Sequence, residues 1–129
     1  MAAGYADEYN TPFPTVDDVR ERKARIDEAC ERAGRRAMPF SVMTCVIVGR
    51  NESELRRRAG RVAQLRGESF DTYFNDPPPG WVIGTIEQAA DQLRALAEAG
   101  VSRVLCQHLA HDDLDAVALI GDELAPLVA

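Results

Sequence analysis

The sequence predicts an α/β fold in which mostly parallel strands alternate with helices. The apolar stretch "FSVMTCVIVG" (residues 40–49) has no polar alternation and is typical of a strand covered on both faces. The stretch "VSRVLCQHL" (residues 101–109) predicts a further strand. Segments with helical apolar spacing flank both stretches, and this alternation implies right-handed crossovers and a parallel sheet. No repeat or linker divides the 129 residues, so we expect one α/β domain over residues 1–129.

A short strand and a capped helix are predicted at the N-terminus. The stretch "GYADEYN" (residues 4–10) predicts a strand that stops at the turn signals around the following prolines. Thr15, with Asp18 three residues later, resembles a capping box that opens a helix, and Gly34 provides its end.

Two further helices lie between the long apolar strands. Asn51 with Glu54 caps the first, whose apolar stripe ends near Gly67. Thr85 with Gln88 forms another capping box ahead of the second. With about three strands in all, both edges of the sheet are expected to be exposed.

The segment between these helices, "GESFDTYFNDPPPGW" (residues 67–81), combines three prolines with aromatic residues. A connection of this length in a compact α/β unit is often a functional excursion. Residues 70–81 then form a lid, with Tyr73, Phe74 and Trp81 as apolar cover. Disorder is the alternative.

Polar residues follow the strand at residues 101–109. His108 lies at its carboxyl end, where it either donates to a ligand and shuttles a proton or hydrogen-bonds a neighbouring loop. His111, Asp112 and Asp113 allow a metal-site interpretation, but they directly precede the apolar run from residue 114. That position favours helix capping, and no other histidine completes a metal shell, so no metal is expected.

The composition argues against several kinds of partner. The chain has 15 basic and 21 acidic residues, a net charge of −6 and no basic block, so nucleic acid is not expected to bind. The apolar runs are too short for a bilayer and no secretory signal is visible, which predicts a cytoplasmic protein without a membrane partner. Cys30, Cys45 and Cys106 lie in apolar segments, which favours reduced core thiols over disulfides.

Four stretches in this order resemble the C-terminal part of the luciferase-like monooxygenase family, in particular its branch that uses the deazaflavin coenzyme F420. They are "YADEYN" (residues 5–10), "FSVMTCVIVGRNESE" (40–54), "GTIEQAADQLRALAEAGVSRVLCQHL" (84–109) and "DLDAVALIGDELAP" (113–126). The resemblance implies a partial (β/α)₈ TIM barrel made of about the last three βα units, because a complete barrel needs about 250 residues.

The resemblance also implies a function. The chain is expected to be the C-terminal portion of a flavin- or F420-dependent oxidoreductase, which performs hydride transfer or monooxygenation on a small organic substrate. Coenzyme F420 or FMN is the implied cofactor, with His108 as catalytic residue and with Asn10 and Gln107 lining the cofactor site.

Three origins of such a chain stay open: part of a longer product, a truncated relic, or a half-barrel completed by another chain. A homo-oligomer or the missing N-terminal half-barrel is therefore the expected partner, since an uncovered inner barrel face is apolar. The alternative function is a non-catalytic α/β module that acts through self-association or a partner chain.

Overall fold

Strand β2 (Phe40–Gly49) forms the centre of an open sheet in the computed structural model, which describes residues 1–129. Strand β1 (Tyr9–Pro12) pairs with the first part of β2, and β3 (Val82–Thr85) pairs with the last part. Strand β4 (Arg103–Gln107) pairs with residues 41–45 of β2. All pairings are parallel, which confirms the predicted α/β class.

Strands β1 and β4 lie on opposite edges of β2. Both pair with Ser41 and Met43, and a strand has only two hydrogen-bonding edges. Strand β3 lies on the same edge of β2 as β1 does, because Gly80, just before β3, lies against Phe13, just after β1. A Cβ atom on Gly80 would lie 2.3 Å from the Phe13 carbonyl oxygen, and its φ is +78°, so this approach requires glycine. The sheet therefore has three strand positions side by side.

Helices cover one side of the sheet, which we call the helix face. They are α2 (Val16–Arg32), α5 (Ile86–Glu98) and the last helix, which begins as α6 (Leu114–Leu119). Alternate residues of β2 supply the strand side of this core, which also includes residues of all three helices: Phe40, Val42, Val46, Val48, Val19, Leu93 and Leu119. Burial of this apolar surface is the main stabilising contribution to the fold.

Part of the opposite side of the sheet is also covered. Helix α3 (Glu52–Arg66) and the short helix α4 (Thr72–Asn75) pack around Ile47, near the carboxyl end of β2. The rest of this side we call the open face. None of the helices combines the length and apolar character that crossing a bilayer requires.

The predicted helix starts are confirmed. Thr15 caps α2 in a capping box with Asp18, and the Asn51 side chain accepts a hydrogen bond from the Glu54 N–H at 2.9 Å. At the start of α5, the Thr85 N–H donates to Gln88 Oε1 at 2.9 Å.

The first predicted strand is wrong in position. Residues 2–5 form the short helix α1 (Ala2–Tyr5), and the strand begins at Tyr9, near where it was expected to end. The Tyr9 ring packs against Phe40 on the helix face, with ring centroids 5.0 Å apart, and this contact sets the register. Pro12 is tolerated in β1 because the strand lies at an edge.

Strand β3 was not predicted, because four residues show too little alternation next to a strong helix cap. Its Ile83 is held from the side by Gln92 of α5, which donates to the Ile83 carbonyl oxygen at 2.9 Å and accepts from its N–H at 3.3 Å. A side-chain amide thus satisfies backbone groups that a neighbouring strand would otherwise pair.

The last helix departs from regular α geometry. Residues 120–124 form a π turn (Ile120–Leu124) between α6 and the terminal helix α7 (Ala125–Val128). Pro126 explains the widening, because it has no N–H and its ring crowds the carbonyl group four residues earlier.

The cysteine prediction holds for two residues of three. Cys30 and Cys45 are buried free thiols, whereas Cys106 is free but exposed. The prediction that Cys106 belongs to the core is wrong, because β4 is an edge strand.

Candidate functional site

The open face is formed by alternate residues of three strands, since paired residues in a parallel sheet point to the same side. Leu105 on this face is 44% exposed although it is apolar. The strand register gives three levels from the amino to the carboxyl end of the sheet: Asn10, Ser41 and Arg103; then Pro12, Met43 and Leu105; then Cys45 and Gln107.

Asn10 lies at the first level, near the amino end of β2. Its Nδ2 atom donates to Ser41 Oγ at 2.9 Å, and its Oδ1 atom has no partner in the chain. The predicted cofactor-binding residue therefore offers a hydrogen-bond acceptor to the open face.

Gln107 lies at the third level, at the carboxyl end of β4. Its Oε1 atom accepts a hydrogen bond from the Cys45 thiol, with 3.3 Å between sulfur and oxygen, while its Nε2 atom has no partner in the chain. Asn10 and Gln107 are four residues apart along the strands, about 13 Å at the usual rise. They share a face but cannot contact the same small group.

An ion pair joins the amino ends of β1 and β4. Arg103 donates to Glu8, and hydrogen bonds from Ser41 and Arg103 lower the pKa of the Glu8 carboxyl group. Sequence reasoning missed Ser41 and Cys45 as members of this face. Strand alternation carried the signal, but the register between strands was needed to join them.

His108 lies beyond β4 and alternates onto the opposite side from Gln107. Its Nε2 atom is 3.1 Å from the Asp113 carbonyl oxygen. A carbonyl group only accepts, so Nε2 carries the hydrogen in this contact. His108 lines a cavity of about 10 Å³ beside Val46 and Ala116, which is too small for any ligand. The structure does not bring His108 together with Asn10 and Gln107.

Arg50 directly follows the carboxyl end of β2. It donates to Glu54 at 3.0 Å, to Asp115 at 3.1 Å and to Glu123 at 3.1 Å. The hydrogen bonds to Asp115 and Glu123 raise the pKa of the Arg50 guanidinium group. The Arg50 guanidinium group is therefore paired with three carboxylates.

Arg58 of α3 is the buried member of the same network, with only 4% of its side chain exposed. It donates to Asp113 at 2.9 Å, to the Val48 carbonyl oxygen at 3.1 Å, and also to Asp115. A contact of 2.7 Å joins it to Glu54. Arg58 therefore ties the carboxyl end of β2 to the start of α6.

The capping interpretation of Asp113 agrees with its contacts. Its Oδ1 atom accepts from the Ala116 N–H at 3.0 Å at the start of α6. Hydrogen bonds from Arg58 and Ala116 outweigh the effect of burial and lower the pKa of the Asp113 carboxyl group. Its neighbour Asp112 pairs with Arg61 at 2.8 Å.

The aromatic segment of residues 70–81 packs on α3 and over the carboxyl end of β2. Tyr73 is 2% exposed, stacks on Trp81 with ring centroids 5.5 Å apart, and donates its hydroxyl hydrogen to Glu68. Burial, followed by the hydrogen bond and charge of Glu68, raises the pKa of Tyr73 to about 12. Phe70 also contacts Phe74, at 5.1 Å between ring centroids. The disordered alternative does not describe this segment.

Three parallel strand positions with helices on one side and a partly polar opposite side define the class as an open part of a β/α barrel. Similar solved structures share this fold. The coenzyme F420-dependent tetrahydromethanopterin reductase from Methanopyrus kandleri has a TM-score of 0.71 and 16% identity, over 99% of this chain and 47% of that chain.

Two other enzymes superpose equally well. An F420-dependent secondary alcohol dehydrogenase, solved with an F420–acetone adduct, has a TM-score of 0.70 and 15% identity over 99% of this chain and 44% of that one. The EDTA monooxygenase from Chelativorans sp. BNC1 has a TM-score of 0.74 and 12% identity, over 98% and 40%. Over the part of each enzyme that aligns, the chain has the fold of the luciferase-like monooxygenases, which confirms the predicted resemblance at the level of fold.

The chain spans less than half the length of these solved structures. No protein-family model matches the sequence, and no curated protein matches it.

Proposed function

We propose that residues 1–129 form the C-terminal portion of a flavin- or F420-dependent oxidoreductase that acts on a small organic substrate. The observation that carries the proposal is the open face, where the free Oδ1 atom of Asn10 and the free Nε2 atom of Gln107 lie on strands of a luciferase-like barrel fold. The residues form one α/β unit in this proposal, and the three free cysteines favour a reducing, cytoplasmic setting.

The rest of the barrel is the proposed partner. Three strand positions are about three eighths of a (β/α)₈ barrel, and the chain covers 40–47% of the three solved structures described above. Two copies would supply only six positions, too few for an eight-stranded barrel. A segment with five further strands, in the same or another polypeptide, is therefore a better fit to the free edges than a second copy.

The cofactor fits this chain only in part. A flavin or deazaflavin ring carries carbonyl oxygens and an N–H group, which match the Gln107 donor and the Asn10 acceptor respectively. Their separation allows only one of them to meet the ring. Arg50 is not available to a cofactor phosphate because three carboxylates hold it. When bound, the cofactor supplies the redox chemistry, and the protein supplies orientation.

Gln107 is the residue for which we propose direct contact with the ring, because it lies at the carboxyl end of a barrel strand. For His108 we propose that it holds the loop between β4 and α6 through the Asp113 carbonyl group. Proton donation by His108 is the alternative, and His108→Asn separates the two: loop orientation without proton transfer leaves the pH profile of turnover unchanged.

Native mass spectrometry of the chain, with FMN and with coenzyme F420 each in excess, tests the cofactor proposal. We expect a cofactor-bearing species that Gln107→Leu removes, whereas Gln64→Leu on the exposed surface of α3 does not. A cofactor-bearing species that Gln107→Leu leaves unchanged would assign the site to other residues and refute binding through Gln107.

The second candidate is a non-catalytic module that self-associates. The last helix favours it, because Leu114 is 73% exposed and Val117 is 50% exposed on the same side of α6. A cofactor-free oligomer that Val117→Asp dissociates would support this candidate.

A further inference from the structure

The carboxamide of Gln107 is held in one orientation by a neighbour on the central strand. Cys45 and Gln107 are register partners of β2 and β4 and point to the same face. The Cys45 side chain is 2% exposed, and its thiol donates to Gln107 Oε1 at 3.3 Å. The thiol carries a hydrogen and the amide oxygen accepts, so the contact is a hydrogen bond with Oε1 toward sulfur.

The consequence concerns which half of the amide remains free. With Oε1 engaged by Cys45, the two N–H groups of Nε2 are left without a partner on an exposed side chain. The carboxyl end of the open face then presents donors and no acceptor from this residue. At the other end, Ser41 orients Asn10 in the opposite sense, because Asn10 donates to Ser41 Oγ and leaves Oδ1 free.

We infer that Cys45 is a positioning residue, which fixes Gln107 as a hydrogen-bond donor and thereby selects ligands that place a carbonyl oxygen or an unprotonated ring nitrogen at this end of the face. The inference rests on the proposed function, in that it specifies the ligand group that Gln107 meets. Cys45 acts only through Gln107 and does not contact the ligand.

The first measurement uses the ligand-free chain and is independent of any cofactor. The ¹⁵N-labelled Gln107 side chain, assigned with Gln107→Leu, is compared with Gln64, an exposed glutamine that makes no side-chain hydrogen bond. We expect a positive ¹⁵N–¹H NOE for Gln107, in contrast to mobile Gln64. Cys45→Ser keeps a donor and preserves this order, whereas Cys45→Ala reduces the NOE of Gln107 to the level of Gln64.

The S–H stretching band gives a second readout. In Gln107→Leu the Cys45 band moves to higher wavenumber, while the bands of Cys30 and Cys106 stay in place. A wild-type Gln107 as mobile as Gln64, or an NOE unchanged by Cys45→Ala, overturns the inference. If the S–H band of Cys45 does not move in Gln107→Leu, the inference is overturned as well.

Binding then tests selection of the ligand. With FMN as probe, we expect Cys45→Ala to weaken binding about fivefold, which is the effect of losing one ordinary hydrogen bond. Cys45→Ser should restore the affinity, because serine keeps a donor for Gln107. Equal affinities of the wild type and Cys45→Ala overturn the selection. If Gln107→Leu leaves FMN and F420 binding unchanged while Gln107 is ordered through Cys45, the proposed contact of Gln107 with the cofactor fails and the orientation of the amide stands.

Discussion

Replacement of Arg58 by Met is the sharpest test of how the carboxyl end of the sheet is held. The methionine side chain keeps much of the buried volume of Arg58 but removes a guanidinium group that is 4% exposed and bonded to Asp113 and the Val48 carbonyl oxygen. Breaking a buried ion pair by removing one partner costs about 3–5 kcal/mol, because the remaining charges lose their compensation. Asp115 is 57% exposed and stays hydrated, which favours the lower end of that range.

A loss of about 3 kcal/mol is large against the 5–15 kcal/mol that stabilises a typical domain. Urea unfolding, monitored by circular dichroism, measures this loss as a lower midpoint concentration of urea, while the slope of the unfolding free energy against urea concentration stays constant. Arg57→Met is the matched control one residue earlier. The Arg57 side chain is 67% exposed, and its single ion-pair contact, to Glu54, is long at 3.8 Å. The control should change stability by less than about 0.5 kcal/mol. If Arg58→Met also costs less than about 1 kcal/mol, the network does not hold the fold together.

Three further predictions, which use four substitutions, have signs fixed by the structure. Gly80→Ala should destabilise the chain by about 1–3 kcal/mol, because of its positive φ and the carbonyl oxygen 2.3 Å from the new Cβ, whereas Gly121→Ala meets open space in a helix and should stabilise it by up to about 1 kcal/mol; thermal unfolding of both variants checks the contrast. Asn51→Ala removes the cap of α3 and should cost about 1 kcal/mol in the same assay, and an unchanged melting temperature would contradict the cap. The pKa of Asp113 is lower in the folded than in the unfolded state, so its stabilisation is present above the unfolded value near 4 and is lost as pH falls through the folded value. Unfolding free energies between pH 7 and pH 2 should therefore fall less steeply in Asp113→Asn, and equal slopes would refute the assignment.

Local signals in the sequence predicted the elements whose ends are set by neighbouring residues. The caps at Thr15, Asn51 and Asp113 are each closed by a hydrogen bond to a backbone group three residues later, so their residue types and spacing were sufficient. The long central strand was predictable for a related reason, since burial on both faces removes polar alternation from residues 40–49.

Contacts between distant residues decided what the sequence could not predict. Strand β1 begins at Tyr9 because its ring meets Phe40, thirty-one positions later. Strand β3 forms because it pairs with the edge of β2 and because Gln92 hydrogen-bonds the backbone N–H and carbonyl groups of Ile83. Neither contact leaves a local mark on the sequence, and short strands depend on such contacts more than on propensity.

The same distinction explains why the candidate site was only half predicted. Strand alternation puts His108 and Gln107 on opposite sides of one strand, but alternation alone does not show which side is the open one. The register between β2 and β4 settles this, because Gln107 pairs with Cys45 on the side that α5 does not cover. Cys45 had no local signal as a functional residue, since a thiol in an apolar strand looks like any core cysteine.

Strand β4 links the fold to the proposed function. Its residues 104–106, Val-Leu-Cys, are apolar, yet Leu105 and Cys106 are exposed. An exposed apolar edge strand is a liability that folded proteins normally cover. The sequence of β4 is therefore suited to an environment that these 129 residues do not provide, and a parallel strand on its free edge, with the remainder of a barrel beyond it, would supply that environment. This mismatch between the composition of β4 and its exposure favours barrel completion over an isolated three-position sheet, independently of any cofactor.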